Sequence, residues 1–562
     1  MDISKVAVID PRIVQKKPVY AVEKGALSIT NQVFSAIANS ASQQTFQVQV
    51  PSENVFCDRA IDWVNTAHLA VTVAISAGAV SGTTVLATPG VNFSLAPFPV
   101  TQTVSTMTAT INDQTVTVNT ADVLPQVLRL ADLAKTRMQR TCPTMLDKYY
   151  SVQNASDVPN SPVGAYGAAY GSSHVPCGAW GELQFYAISN VTIDGTTGLP
   201  KVTTASSGAA TCTFGVKFTT AEKLVLPPFI FSDEDELSTG LFGVQNMQFS
   251  MNFNQPTRAV RMCATASGLT YSALPSVAWA TLGPGAASLP SPFTKSQLQV
   301  QFLTPSLDVP LPAKSVVPWM EFPRYISPVV AGTFGTGDAA PVAIESQTIT
   351  LPCIPDLLVI YVKPQSYGSA SEGDWSLPVY KISLNFDNFS GLLANHSQYE
   401  LYKMSVANGL DMDFDEWSGS AWVDGAYRPG AATASAAYKG LSPLVGGPLV
   451  LRPGRDFALS TGQAPGLVGN FTLQYNLSVD NTVAQTTSGS CSIYTIAINS
   501  GFFETIKGSS RILRGVVTEQ DILGAPPVSD PESSESVERY VGEGKRSSMA
   551  RLKKHGVHHL LR

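Results

Sequence analysis

Apolar and polar residues alternate along most of this chain with a period of two, which places successive side chains on opposite faces of a strand. Phe46, Val48 and Val50 alternate with Gln47 and Gln49, and Leu69, Val71, Val73 and Ile75 with Ala70, Thr72 and Ala74. Met247, Phe249, Met251 and Phe253 interleave with Gln248, Ser250 and Asn252, and every odd position from Phe471 to Val479 is apolar. Strand-like runs also cover Leu183 to Ile193, Thr211 to Phe218, Leu298 to Leu303, Val316 to Tyr325, Ser346 to Leu351, Asp356 to Val362, Val379 to Phe386, Leu449 to Leu451 and Ile493 to Ile498. Met107 to Asn119 reads as a hairpin turning at Asn112 and Asp113.

Helical spacing is rare by comparison. Thr120 is placed to cap a short helix carrying Val123, Val127, Leu130 and Leu133, with Pro125 early enough to be tolerated. Ser397 to Asn408 is the stronger case, because Ser397 and Glu400 form a capping box and Gly409 supplies a left-handed stop. A parallel α/β sheet needs a helix after nearly every strand, so two helices among this many strands exclude it. The pattern predicts an all-β chain of two sandwiches of about eight strands each. The divisions expected are an N-terminal arm over 1–44, a first β unit over 45–263, a Gly, Ala, Ser and Pro-rich linker over 264–294, a second β unit over 295–508, and a C-terminal extension over 509–562. Leu224 to Met262 is read as the closing edge of the first unit.

Composition sharpens this picture. Charged residues make up 14% of the 562 residues and hydrophobic ones 44%, against roughly 25% charged in an ordinary soluble domain. So little charge on so long a chain implies that partners cover much of its surface. No run of eighteen apolar residues appears, and charges recur from Met1 to Lys17, which predicts neither a membrane span nor a signal peptide. Cysteines at 57, 142, 177, 212, 263, 353 and 491 stand singly, the pattern of buried thiols and not of a disulfide or zinc framework.

Candidate chemistry is sparse. Asp233 to Glu236 is an acidic run that a carbohydrate-binding or carbohydrate-cleaving sandwich would use as paired carboxylates; its plainer reading is a solvated loop. Asp411, Asp413, Asp415 and Glu416 suggest a calcium loop, but Glu416 stands where an EF-hand needs glycine and Trp422 where it needs a bidentate acid. His68, His174 and His396 are isolated. There is no phosphate-binding loop, nucleophile elbow or dinucleotide fingerprint, so neither an enzyme nor a cofactor is expected. The net charge of −6 conceals a basic end: Lys545, Arg546, Arg551, Lys553, Lys554 and Arg562 follow the acidic, Pro- and Ser-rich Pro526 to Glu538. Such a tail reads equally as a merely solvated segment, as one that neutralises phosphates without base specificity, or as one that docks on a neighbouring subunit or an inner membrane.

Four stretches carry a family resemblance. LVLPPFIFSDEDELSTGLFGVQNMQFSMNFNQPTRAVRM (Leu224 to Met262) holds Pro-Phe-x-Phe at Pro228 to Phe231 and Gly-Val-Gln-Asn at Gly243 to Asn246. VVPWMEFPRYI (Val316 to Ile326), FDNFSGLLANHSQYELYKMSVANGLDMDFDEWSG (Phe386 to Gly419) and LRPGRDFALSTGQAPGLVGNFTLQYNLSV (Leu451 to Val479) follow in order. Together they resemble the major capsid proteins of polinton-like and adintovirus-type double-stranded DNA viruses, from about Val8 to Phe503. The resemblance implies a double jelly roll whose homotrimers are pseudo-hexameric capsomers tiling an icosahedral shell around DNA. It further implies neighbouring capsomers and penton or minor capsid proteins as partners, and the virion as the location after synthesis in the host cytoplasm. Viruses of this kind often encode a protease that favours an aliphatic residue, any residue, Gly, any residue, Gly. Tyr540 to Gly544 approaches that pattern, Tyr540 departing from it, and cleavage after Glu543 would release the basic peptide.

Overall fold

The computed structural model describes residues 26–52, 55–75, 84–89, 92–130, 146–147, 183–203, 210–229, 240–262, 265–266, 269–270, 275–305, 314–330, 341–364, 370, 373–425, 438–479 and 490–514. The alternating runs become antiparallel strands in two sandwiches. One sheet of the first sandwich orders Ala26–Ser35, Phe293–Pro305, Asp62–Ile75, Ala210–Lys223 and Leu183–Ser189. The other orders Ala38–Asn39, Gln43–Gln49, Asn246–Phe253, Val104–Ile111 and Gln114–Val118. Their inward side chains form the core: Trp63 of one sheet stacks on Phe253 of the other with ring centroids 6.2 Å apart, and Phe253 lies 4.8 Å from Phe293. The Trp63 indole N–H donates across the gap to Gln44 Oε1 at 3.2 Å, so the ring is buried without an orphaned donor.

The second sandwich is built around the long strand Ser490–Ile506, which pairs with Ser315–Glu321, Arg324–Val330, Leu357–Pro364 and Ser509–Arg514. Facing it, Val468–Val479 carries Val342–Glu345, Ile349–Cys353 and Val379–Phe386, with Phe389–Leu392 outermost. Leu473, Tyr475, Leu477 and Val479 are buried as the alternation requires, and the Tyr475 and Thr495 hydroxyls bond across the core. The single strand expected over Val316 to Tyr325 is broken at Phe322 and Pro323, where proline has no N–H to give to the ladder. Pro318 is accommodated because Ser315–Glu321 is an edge strand.

Two expectations are corrected. Asn246–Phe253 is the middle strand of its sheet, not a closing edge, since it pairs with Gln43–Gln49 on one side and Val104–Ile111 on the other. The first sandwich extends past 263: Ser276–Trp279 and Phe293–Pro305 both pair with Asp62–Ile75, and Ala26–Ser35, expected in an arm, pairs with Phe293–Pro305. The crossing to the second sandwich therefore lies between Pro305 and Lys314. Periodicity reveals a strand's faces but not its partners, and these partners lie far apart in sequence, from Met247 with Ile111 to Ala26 with Pro305.

Gln398–Ala407 has both halves of the capping box, and Gly409 follows with φ of 105°. Thr120–Val127 begins at Thr120, with Asn119 at the cap position. Its Pro125 leaves the Ala121 carbonyl without a helical partner, and Arg258 Nη1 donates to that oxygen at 2.9 Å. A third helix, Phe414–Ser418, was not expected; Asp415 and Glu416 occupy its first turn, where the helix dipole favours negative charge.

Candidate functional site: the buried seam between the sandwiches

The sandwiches meet at charged groups that the chain otherwise uses sparingly. Glu222, fully buried at the end of Ala210–Lys223, accepts from the Val100 and Thr101 amides at 2.9 and 2.8 Å and from the Thr101 hydroxyl. Burial raises its pKa against the pull of those donors. It thereby fixes the 3-10 turn Thr101–Thr103, whose Gln102 points into the seam. Asp374, from the second sandwich, takes Gln102 Nε2 on one carboxylate oxygen and Arg258 Nη2 on the other, each at 2.6 Å. Gln102 returns the contact, its carbonyl accepting from Arg258 Nη2 at 2.7 Å.

A second layer again sets an aspartate carboxylate against an arginine. Asp147 Oδ2 accepts from Arg261 Nε and Nη2 at 3.1 and 2.8 Å, and from the backbone N–H of Asp374 at 3.0 Å. Arg129 Nη2 reaches the Asp147 and Asp374 carbonyls at 3.1 and 3.3 Å, while its own carbonyl accepts from the Asp411 amide at 2.9 Å. Arg258, Arg261, Arg129, Asp147 and Asp374 are all buried. Around them, the Tyr361 hydroxyl donates to the Asp122 carbonyl at 2.6 Å, Arg324 pairs with the Asp122 carboxylate, and the Met262 amide donates to Ala370 at 2.8 Å.

Lys363 completes the seam. Its ammonium lies 5.5 and 5.9 Å from the Tyr361 and Tyr494 rings, whose faces attract a cation. Burial, with the nearby Arg258 guanidinium, pushes its pKa down to about 7, against a smaller upward pull from Asp374. A lysine is thus held near its titration point between two sandwiches.

A second junction joins the end of the second sandwich to the hairpin of the first. Asp113 accepts from the Ser510 amide at 2.6 Å and the Ser509 hydroxyl at 2.9 Å, and those bonds hold its carboxyl below the usual range. Asn112 Nδ2 donates to Ser510 Oγ at 3.0 Å, and the Gly508 amide to the Gly243 carbonyl at 2.8 Å. Gly243 has φ of 76°, and a Cβ there would lie 2.9 Å from the Lys507 nitrogen, so this crossing admits no side chain. The Thr505 hydroxyl bonds to the Phe242 carbonyl, and the Ser315 hydroxyl to Gly240 at 3.3 Å.

These groups share a chemistry of closed pairing. The seam's charges face one another away from water, a geometry that holds the two sandwiches in one placement. The sequence-predicted candidates lie elsewhere. Lys545, Arg546, Arg551, Lys553, Lys554 and Arg562 fall outside the described residues, as do Asp233 to Glu236 and His174. His68 is buried against Tyr186 and 3.3 Å from Thr294 Oγ1, with burial and the Lys217 ammonium lowering its pKa. Among the described residues, no group of three His, Cys, Asp or Glu is placed to hold a metal. Cys57, Cys212, Cys353 and Cys491 are free thiols, Cys353 the only one of these four that is not buried. Sequence reading missed the seam, although Arg258 and Arg261 offered a signal: two arginines inside the largely apolar run that ends at Met262.

The chain matches two family models: the Sputnik virophage major capsid protein first domain over residues 1–303, and the major capsid protein V20 C-terminal domain over residues 322–501. The interval between them contains the crossing from Pro305 to Lys314. The putative capsid protein V20 of Sputnik virophage is 25% identical over 537 residues, which cover 92% of this chain and 81% of that protein. A chain of the Sputnik virophage structure determined by cryo-EM superposes with a TM-score of 0.71 at 23% identity, over 95% of this chain and 98% of the other. The mavirus major capsid protein does so with a TM-score of 0.65 at 13% identity, over 94% and 98%. The fold is the double jelly roll expected from the motifs, and the relatives that carry it here are proteins of virophages.

Proposed function

We propose that this chain, which belongs to the Sputnik virophage major capsid protein family, is a shell subunit whose homotrimers form pseudo-hexameric capsomers in an icosahedral particle around double-stranded DNA. The observation that carries this reading is that the two family matches, 1–303 and 322–501, divide where the two sandwiches divide. Two jelly rolls locked side by side in one chain give three copies six similar lobes, the shape a hexagonal lattice position requires. Neighbouring capsomers and penton or minor capsid proteins are the partners of such a unit, and the virion its location. No catalytic role is assigned: the charged cluster is internal, and the matched relatives are capsid proteins.

Light scattering with negative-stain imaging of the purified protein tests this. A three-chain species that forms shells is expected; a monomer that binds glycans would overturn the proposal in favour of the carbohydrate reading. The basic residues Lys545, Arg546, Arg551, Lys553, Lys554 and Arg562 are proposed to contact the genome or an inner membrane from inside the shell. If DNA is the partner, binding weakens steeply with salt, and replacing the six by Gln abolishes that slope. The intact mass of the protein from mature particles decides whether cleavage after Glu543 occurs, since a full-length mass excludes it.

A further inference from the structure

Among the described residues, Ala26–Ser35 lies at the edge of its sheet and pairs on one side, with Phe293–Pro305. One of its faces packs inward, as Phe34 does edge-on against Phe302 with centroids 6.3 Å apart. The opposite face carries Ile29 and Val33, which are 62% and 53% exposed, and Ile37, 69% exposed, continues the stripe to the corner where the chain turns into the facing sheet. Across the ladder, Ile29 and Val33 stand opposite Leu303 and Gln299, and Asn31 opposite Gln301. Neither strand of the edge pair supplies charge here: no Asp, Glu, Lys or Arg occurs from Gly25 to Ser52 or from Ser296 to Leu307, and Asp62 stands one strand further in, beside Gln299.

This departs from how a lone edge strand is protected. Long exposed edges are ordinarily blunted by charge or proline, because their unpaired amides and carbonyls template further pairing. The second sandwich follows that rule: its Ser315–Glu321 edge carries Pro318 and Glu321, and Ser509–Arg514 carries Arg511 and Arg514. Among the described residues, the first sandwich leaves this ten-residue edge without charge or proline, with Ile29 and Val33 exposed on it and Ile37 just beyond its end.

We infer that the outer face of Ala26–Ser35, centred on Ile29, Val33 and Ile37, is a contact between copies of this chain. A second copy is the occupant that the chemistry favours. The two edge strands offer no charge for an oppositely charged partner to recognise, while an uncharged edge avoids the like-charge repulsion that repeated identical chains otherwise bring together. The inference rests on the shell-subunit reading and names a surface that reading would use.

The test is I29K/V33K, which places on the outer face the residue natural edges use, so the core side of the strand is untouched. Wild type assembled and the variant folded but monomeric, with its dissociation concentration raised at least tenfold, is the expected result. A variant that assembles like wild type overturns the inference. Hydrogen exchange on wild type decides independently of the variant's folding. Amides of residues 28–37 protected in the assembly but not in dissociated subunits support the contact; equal exchange, or protection already complete in the isolated subunit through cover by the chain's own residues, overturns it. A wild type that never leaves the monomer strikes the shell-subunit reading itself and is distinguishable from either.

Discussion

The seam and the bare edge invert the usual placement of charge. At the seam, Arg129, Arg258, Arg261 and Lys363 meet Asp147 and Asp374 away from water, whereas the exposed strand Ala26–Ser35 has no charged residue at all. Buried ion pairs contribute little net stability over apolar packing, but they tolerate no misalignment, because an unpaired charge left inside is costly. They fix one relative placement of the two sandwiches. Apolar contact on an uncharged face is less directional, which suits surfaces that must meet, slide into register and sometimes separate. The difference teaches that the internal joint is fixed by paired buried charges, whereas the contact proposed at Ala26–Ser35 would rest on hydrophobic burial.

Asp374→Ala is the sharpest way to break that comparison. It removes the carboxylate to which both Arg258 and Gln102 donate and leaves the buried guanidinium without that counter-charge, so a loss of about 3–5 kcal/mol is expected in denaturant unfolding, with the single transition splitting as the sandwiches uncouple. A loss under about 1 kcal/mol would mean that the seam is an incidental contact. Next in size is the response to pH. The Lys363 pKa is about 7 in the folded protein against 10.5 for the ordinary group, so between those values the unfolded chain holds a proton that the native chain has released. Stability therefore rises with pH across that window, by up to about 1.4 kcal/mol per unit from this group, and is least favoured by Lys363 below pH 7. Lys363→Met should flatten the slope in unfolding measured from pH 7 to 10, and an unchanged slope would remove Lys363 as its source.

What the sequence made legible follows from which interactions are local. The alternation over Phe471 to Val479, the turn at Asn112 and Asp113, and the capping box at Ser397 and Glu400 all depend on neighbours a few residues away, and each is present. The pairing of Ala26–Ser35 with Phe293–Pro305 depends on a partner far along the chain, and the residue pattern left it unassigned. The same is true of the seam. Arg258 and Asp374 are separated by 116 residues, and an arginine in sequence carries no mark of whether its carboxylate partner exists. The helix Phe414–Ser418 was missed for a different reason: five residues are too few to show a helical period, so Asp415 and Glu416 in its first turn read as part of an acidic loop.

Smaller effects sharpen the comparison at its margins. Gly243→Ala forces a side chain into a left-handed position and against the Lys507 nitrogen, so a loss of more than about 1 kcal/mol is expected at the second junction. Thermal unfolding measures it, and a neutral result would show the Gly508 to Gly243 bond to be dispensable. Smallest is Ser397→Ala, about 1 kcal/mol, on an exposed turn that touches neither seam nor bare edge. Ser397 accepts from the Glu400 amide at 3.4 Å, while the Glu400 carboxylate takes the Ser397 amide and hydroxyl at 2.8 and 2.9 Å. Those two donors hold Glu400 below the ordinary carboxylate value, so its contribution is complete above that value and lost as pH falls through the folded one. Equilibrium unfolding of Ser397→Ala should accordingly show its deficit at neutral pH and a shrinking deficit in acid. A deficit as large as that of Asp374→Ala would overturn the ranking, because an exposed cap would then matter as much as the buried charge that joins the two sandwiches.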